Sequence, residues 1–272
     1  MNTNTKKLLF RCIKIVVLVY ALIGIILYYI QDYILIQPTV IERSIPYKFE
    51  MPFEEVDLAI KETDTVNLVK FFPQDSVRKG VVLYFHGNRG NVKRYVRFVK
   101  NFTVHGYEVW IEDYPGYGKS VGQRTEKILY GEAEQVYKLA RSKYSSDSII
   151  IYGKSFGTGI AAYLASVQPC QQLILETPYY SVPALFDAYA PIYPNSRMAK
   201  YKIPTNEYLQ EIKQPITIFH GTNDGVIRYS CAAKLKTVLK PTDEFITIEK
   251  GTHHNLNDFP VFRKALDSLL AH

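Results

Sequence analysis

Cysteine is scarce in this chain, and the three present, Cys12, Cys170 and Cys231, form no C-x-x-C pair and no metal-ligand spacing. They leave room for at most one disulfide within a domain, between Cys170 and Cys231. Basic runs interleaved with aromatics are missing outside the first segment, so no nucleic-acid partner is expected. The net charge of +7 does not change this. Lys6, Lys7, Arg11 and Lys14 all precede the first acidic residue, Asp32, and 29 basic against 26 acidic residues leave only +3 over 32–272. Internal repeats and low-complexity tracts are missing too, which sets repeat architectures aside.

What is present at the start is an uncharged stretch, Ile15 to Ile30, preceded by those four cations. As helix it measures about 24 Å at 1.5 Å per residue. That approaches a bilayer core of about 30 Å, and Leu8 to Phe10 extend it if Arg11 and Lys14 snorkel. The segment has no polar face and no small-x-small cleavage site after Ile30, so a retained single-pass anchor is expected over a removed signal or a core helix. Cations before the span and none close after it orient the N-terminus toward the cytoplasm and the rest to the far side, periplasmic or extracellular. Tyr28, Tyr29 and Tyr33 are expected at that far interface.

With 47% hydrophobic residues in 272, the remainder can bury one full core. The expected division is an anchor over 1–37 and one catalytic domain over 38–272. After a hairpin of Val56 to Ile60 and Val66 to Phe72 around Glu62-Thr63-Asp64, strand and helix alternate. Strands are expected at Gly80 to Phe85, Tyr107 to Glu112, Ile149 to Tyr152, Leu173 to Glu176, Ile216 to Phe219 and Phe245 to Glu249. Helices are expected at Val92 to Phe102, Glu126 to Tyr144, Ile160 to Ser166, Cys231 to Val238 and Val261 to Leu270. Such alternation demands an α/β fold with a mostly parallel sheet covered on both faces, whose ligands gather beyond the carboxyl ends of the strands.

One corner organises the rest. Gly153-Lys154-Ser155-Phe156-Gly157 lies between a β-branched strand and a helix rich in small residues, the G-x-S-x-G nucleophile elbow. A serine hydroxyl needs an imidazole to take its proton and a carboxylate to orient that imidazole. Asp224, in the loop after Ile216 to Phe219, is the expected acid, with Glu176 as the fallback. His253 is the expected base because Lys250-Gly251-Thr252 turns the chain after the last strand, with Leu256 anchoring the loop; His254 is the alternative base. His86 and His220, each before a glycine, read as structural. The Phe156 N–H, and the Asn88 N–H after His86-Gly87, are the expected oxyanion donors. Asp113 to Ser120 reads as a structural turn under the site. Between 178 and 205, tyrosines and five prolines interrupt the rhythm as a short cap.

These residues carry a resemblance. Gln31 to Pro38, His86-Gly87-Asn88-Arg89-Gly90-Asn91, Asp113-Tyr114-Pro115-Gly116-Tyr117-Gly118, the Ser155 elbow, Pro204 to Leu209 and His220-Gly221-Thr222-Asn223-Asp224 together resemble the membrane-anchored α/β-hydrolases, a group that includes acyl-protein thioesterase-like serine hydrolases and many bacterial relatives. Relatives often carry arginine where Pro115 stands, and asparagine after the histidine, where His254 stands if His253 is the base. The resemblance implies an α/β-hydrolase fold with no cofactor and no metal, acting on a small-molecule or lipid-like acyl ester or thioester. A serine peptidase on the same fold, or a catalytically silent anchored binding protein, stays open beside it.

Overall fold

The computed structural model describes residues 2–60, 64–74 and 78–271. Of the expected hairpin turn, Glu62 and Thr63 lie outside the described residues. Eight strands form the central sheet: β1 (Phe53–Ala59), β2 (Thr65–Phe71), β3 (Gly80–Phe85), β4 (Tyr107–Asp113), β5 (Ile149–Lys154), β6 (Gln172–Glu176), β7 (Ile216–Gly221) and β8 (Glu244–Ile248). Their spatial order is β8-β7-β6-β5-β3-β4-β2-β1. β2 runs antiparallel to both β1 and β4, and the other neighbours pair in parallel.

Alternation along each strand divides the core between two faces. On one face Val81, Leu83, Phe85, Ile149 and Ile151 pack on α2 (Glu126–Arg141) and α3 (Gly157–Val167). Helix α2 starts where Thr125 caps it by accepting the Ile128 N–H, and it buries Leu129, Ala133, Val136 and Ala140 at helical spacing. On the other face Val82, Tyr84, Ile150 and Tyr152 meet α7 (Pro260–Leu270) and the segment 92–103. The Pro260 ring suits the first turn of α7, and Phe262, Leu266 and Leu270 supply its buried stripe. The expected helix Val92 to Phe102 is instead three short turns, Val92–Tyr95, Val96–Phe98 and Lys100–Thr103. The helix expected at Cys231 to Val238 starts earlier, as α6 (Tyr229–Ala233), and finishes as a 3₁₀ turn. Cys170 and Cys231 are buried free thiols, not a disulfide.

Helix α1 (Thr3–Leu35) is 33 residues, about 50 Å of helix, and among the described residues it alone is long and apolar enough to cross a membrane. Its second half does not stand apart from the domain. Tyr20 stacks on Tyr193 at 4.6 Å, Gln31 accepts the Lys200 N–H at 2.7 Å, and Lys200 pairs with Asp32. Tyr28, placed at an interface by the sequence, lies under the Lys200 ammonium at 5.4 Å. Beyond the helix the connector is stitched to two loops: Gln37 N–H donates to Asn88 O, Thr39 N–H to Gly90 O and Ile41 N–H to Gly118 O.

The segment between β6 and β7 crosses over the carboxyl ends of the strands as α4 (Val182–Asp187), a single turn Asn195–Met198 and α5 (Thr205–Glu211). Tyr179, Tyr193 and Tyr201 are buried in it, while Tyr189 and Ile192 stay exposed.

Candidate active site

Ser155 stands between β5 and α3 with φ of +53°, a left-handed conformation that side chains rarely adopt. The glycines around it are dictated by space. A Cβ at Gly153 would come within 2.7 Å of Ala161 Cβ, and one at Gly157 within 2.2 Å of Phe85 O. So close an approach of strand, helix and neighbouring strand leaves the serine no room to relax, and its hydroxyl projects above the sheet.

Two other loops arrive at that hydroxyl. His253 Nε2 stands 2.8 Å from Ser155 Oγ, and His253 Nδ1 stands 2.8 Å from Asp224 Oδ2. Asp224 is itself held, because its Oδ1 accepts the N–H groups of Val226 at 2.8 Å and Ile227 at 2.7 Å. The two loops touch where Gly221 faces Gly251; a Cβ at Gly221 would lie 2.2 Å from Gly251 O. Asn223 N–H donates to Gly251 O, and Thr252 N–H to Asn255 Oδ1, fixing the turn that presents His253. Leu256, fully buried, seats that turn in the core.

Burial alone would raise the Asp224 carboxyl. The His253 hydrogen bond, the His253 charge and the Ile227 N–H outweigh it and hold the group below its ordinary range. His254 is exposed, meets His253 edge-on at 5.1 Å, and is pushed below the usual histidine value by partial burial and then by the charges of His253, Lys154 and Arg94. Its backbone N–H is 3.5 Å from Thr252 Oγ1. Glu176 lies elsewhere in the network. Its carboxylate pairs with Lys154 and accepts from Tyr152 Oη at 2.5 Å and Asn257 Nδ2 at 3.2 Å.

Two further histidines, His86 and His220, are buried and contact their own loops through Nδ1. His86 is fully buried, with Nδ1 2.7 Å from Gly87 O and Nε2 3.4 Å from Asp113 Oδ1, and His220 Nε2 is 3.7 Å from Asp224 Oδ2. Burial lowers His220, and the Asp224 charge opposes that.

Asn88 follows Gly87, where a Cβ would meet Tyr95 Oη at 2.8 Å and Ser155 Cβ at 3.4 Å, so this loop passes beside the serine. Its carbonyl accepts from Gln37 N–H and from Tyr117 Oη at 2.8 Å, and Tyr114 Oη donates to His86 O at 2.8 Å. Among the described residues neither the Asn88 nor the Phe156 backbone N–H donates to another protein group. The Tyr114-Pro115-Gly116-Tyr117 segment, read from sequence as a structural turn, supplies two hydroxyls that hold the Asn88 loop. Nothing in the pattern distinguishes such tyrosines from core ones.

Above these groups lies a cavity of about 500 Å³ that contains Ser155 and His253. Apolar side chains of α4 and α1 line part of it; Arg89, Arg94 and Arg97 reach it, and no Asp or Glu among the described residues lines it. An imidazole between a hydroxyl and a carboxylate, beside two unoccupied N–H groups, is an arrangement that can pass a proton and hold an oxyanion. No group of three or more metal-ligating side chains occurs among the described residues.

The fold agrees with what the chain is similar to. An esterase of Pyrococcus furiosus superposes with a TM-score of 0.67 at 18% identity, covering 87% of this chain and 97% of that one. The chain has the α/β-hydrolase fold. A structure of ferulic acid bound to Est1E from Butyrivibrio proteoclasticus superposes with a TM-score of 0.63 at 17% identity over 76% of this chain and 94% of its own. The family model described as serine aminopeptidase, S33, matches residues 76–205. Among curated relatives, alpha/beta hydrolase domain-containing protein 17C of Xenopus tropicalis is 27% identical over 196 residues, 70% of this chain, and that of Homo sapiens is 26% identical over 196 residues. The chain spans 61% and 58% of the lengths of those two proteins.

Proposed function

We propose that this α/β-hydrolase is a serine hydrolase of carboxylic esters or thioesters that works through an acyl-enzyme on Ser155. The single observation that carries the reading is His253, 2.8 Å from Ser155 Oγ on one ring nitrogen and 2.8 Å from Asp224 Oδ2 on the other. In the first half-reaction His253 Nε2 takes the Oγ proton as Oγ attacks the acyl carbon. The carbonyl oxygen becomes an oxyanion that the Asn88 and Phe156 N–H groups stabilise. The bond to the alcohol or thiol then breaks, and the leaving group takes the proton from His253. In the second half a water gives His253 a proton and attacks the acyl carbon. The carboxylic acid departs, and Oγ recovers its proton. Asp224, held ionised by its partners, keeps the ring oriented and balances its positive charge. His254 carries no proton in this scheme.

The same reading takes α1 as a retained membrane anchor with Lys6, Lys7, Arg11 and Lys14 on the cytoplasmic side and the domain opposite. A protease-protection assay on sealed vesicles checks it: cleavage of the domain from the cytoplasmic face contradicts the orientation.

The match to a serine aminopeptidase model favours one second reading, cleavage of an aminoacyl amide. The cavity argues against it, because a free α-ammonium would meet three arginines and no carboxylate among the described lining residues. Turnover of p-nitrophenyl esters against aminoacyl p-nitroanilides separates the two. For the main reading, a fluorophosphonate probe is expected to label the wild-type protein and not Ser155→Ala. A folded wild-type protein that stays unlabelled overturns it.

A further inference from the structure

One wall of the cavity above Ser155 comes from outside the catalytic domain. Leu27, Tyr28, Gln31, Ile34 and Leu35 all line it, and their spacing places them on one face of α1. The facing wall is α4, through Val182, Leu185 and Phe186. Gln31 is the one amide in the α1 wall, and its polar atoms are occupied, donating to Tyr28 O and Met198 O and accepting from Lys200 N–H. The wall therefore offers hydrocarbon.

The membrane's thickness sets where this wall lies. A core of about 30 Å needs about 20 residues of helix, and Lys14 is the last cation before the apolar run. A span that begins at Ile15 thus reaches Ile34 and contains Leu27, Tyr28, Gln31 and Ile34 of the wall, with Leu35 just beyond it. It contains Tyr20 as well, whose hydroxyl donates to Ile192 O at 2.9 Å while its ring stacks on Tyr193. Ile192 is 71% exposed at a tip that α1 carries to the depth of its own middle, and the Tyr189 ring beside it, 52% exposed, keeps its hydroxyl bonded to Gly225 O and Val226 O. Stopping the span before Tyr20, to keep the cap in water, leaves too few residues to cross.

We propose that the cavity is an acyl-chain slot entered from the bilayer. Resting on the hydrolase reading above, this assigns the substrate class: a lipid-phase, long-chain acyl ester or thioester whose chain lies between α1 and α4 while its carbonyl reaches Ser155. The anchor is then part of the binding site as well as a tether. A chain sliding from lipid into this slot stays in apolar surroundings throughout, so selection falls on how far the slot extends.

The test uses the full chain in phosphatidylcholine vesicles. Leu27→Trp fills the slot and is expected to lower the ratio of palmitoyl to butyryl ester turnover by about tenfold or more, whereas Ile26→Trp, which does not line the cavity, leaves that ratio as in wild type. Ile192→Trp is expected to fluoresce with quenching by lipids brominated in the acyl chain, against the background of Trp110, which is buried in the sheet. Fluorophosphonate labelling of each variant keeps two failures apart. If Leu27→Trp labels normally and keeps the wild-type ratio, or if Ile192→Trp escapes quenching, the slot is overturned and the hydrolase reading stands. If the wild-type protein does not label, the hydrolase reading falls and the substrate assignment falls with it.

Discussion

Below the cavity, Ser155, Asp224 and His253 sit on loops packed so closely that single methyl groups are excluded at Gly153, Gly157 and Gly221, in each case by atoms under 3.0 Å away. Above it, α1 meets the cap through one ring stack, a few side-chain hydrogen bonds and the Lys200–Asp32 pair, and much of both surfaces is exposed. The floor has one arrangement available to it, as close packing around a strained residue requires. The roof is held by bonds worth about 0.5–1.5 kcal/mol each. Under the proposed function, reaction and selectivity fall to separate parts of one cavity: damage below should remove turnover, and damage above should change what is turned over.

The largest effect should come from the floor. Asp224→Asn keeps the size of the side chain but removes the charge that orients His253, and kcat is expected to fall by about 10⁴ with the fold intact by circular dichroism. His254→Ala, by contrast, should change kcat by no more than about threefold, since its ring makes no bond to Ser155 or Asp224. Equal losses in the two variants would erase the distinction between them.

A second effect separates the floor from the core beneath it. Glu112 and Glu132 are buried with no hydrogen-bond partner at any of their four carboxyl oxygens, whereas Asp224 has three partners. Burial, and then the charge of Asp64, raises Glu132 from 4.5 to about 8. Folded protein thus keeps a proton that the unfolded chain releases above about 4.5, so this contribution is complete at lower pH and is lost as pH rises toward 8. Glu132→Gln should flatten that decline, on the order of a few kcal/mol in denaturant titrations between pH 5 and 8. Asp224 has the opposite sign: its contribution is present above the carboxylate range and lost as pH falls through it.

Smaller effects sharpen the contrast. Gly157→Ala sets a Cβ 2.2 Å from Phe85 O and should cost about 1–3 kcal/mol of stability, with slower fluorophosphonate labelling. Tyr117→Phe removes the hydroxyl that holds Asn88 O and should lower kcat roughly tenfold or less, leaving KM nearly unchanged. Smallest of all, Tyr20→Phe should loosen the roof by less than about 1 kcal/mol and leave probe labelling at the wild-type rate.

Much of the fold is legible in the sequence because its signals are local. Runs such as Val81 to Phe85 and Ile149 to Tyr152 read as buried strands without further help, and the glycines about Ser155 mark a corner. The order of the loops bearing Ser155, Asp224 and His253-His254 follows from the chain alone. Which imidazole faces Oγ does not, because that depends on Lys250 taking a φ of +60° and on Asn255 bonding back to Thr252. Helix α1 hides its partner for a related reason. A helix apolar all round shows no face to read, and only Gln31, a lone amide near its end, hints that one side is covered. Glu176, readable as a spare acid from its place at a strand end, is taken up by Lys154, a pairing across neighbouring strands that residue order does not reveal.

The most direct test of the central claim is to look for the covalent intermediate itself. Wild-type protein mixed with a p-nitrophenyl ester and quenched in acid should carry one acyl group, mapped by peptide mass spectrometry to the peptide containing Ser155, at a stoichiometry matching the burst of p-nitrophenol. The adduct should be missing from Asp224→Asn quenched at the same time. Steady turnover with no adduct on Ser155, or an adduct on another residue, would contradict the account.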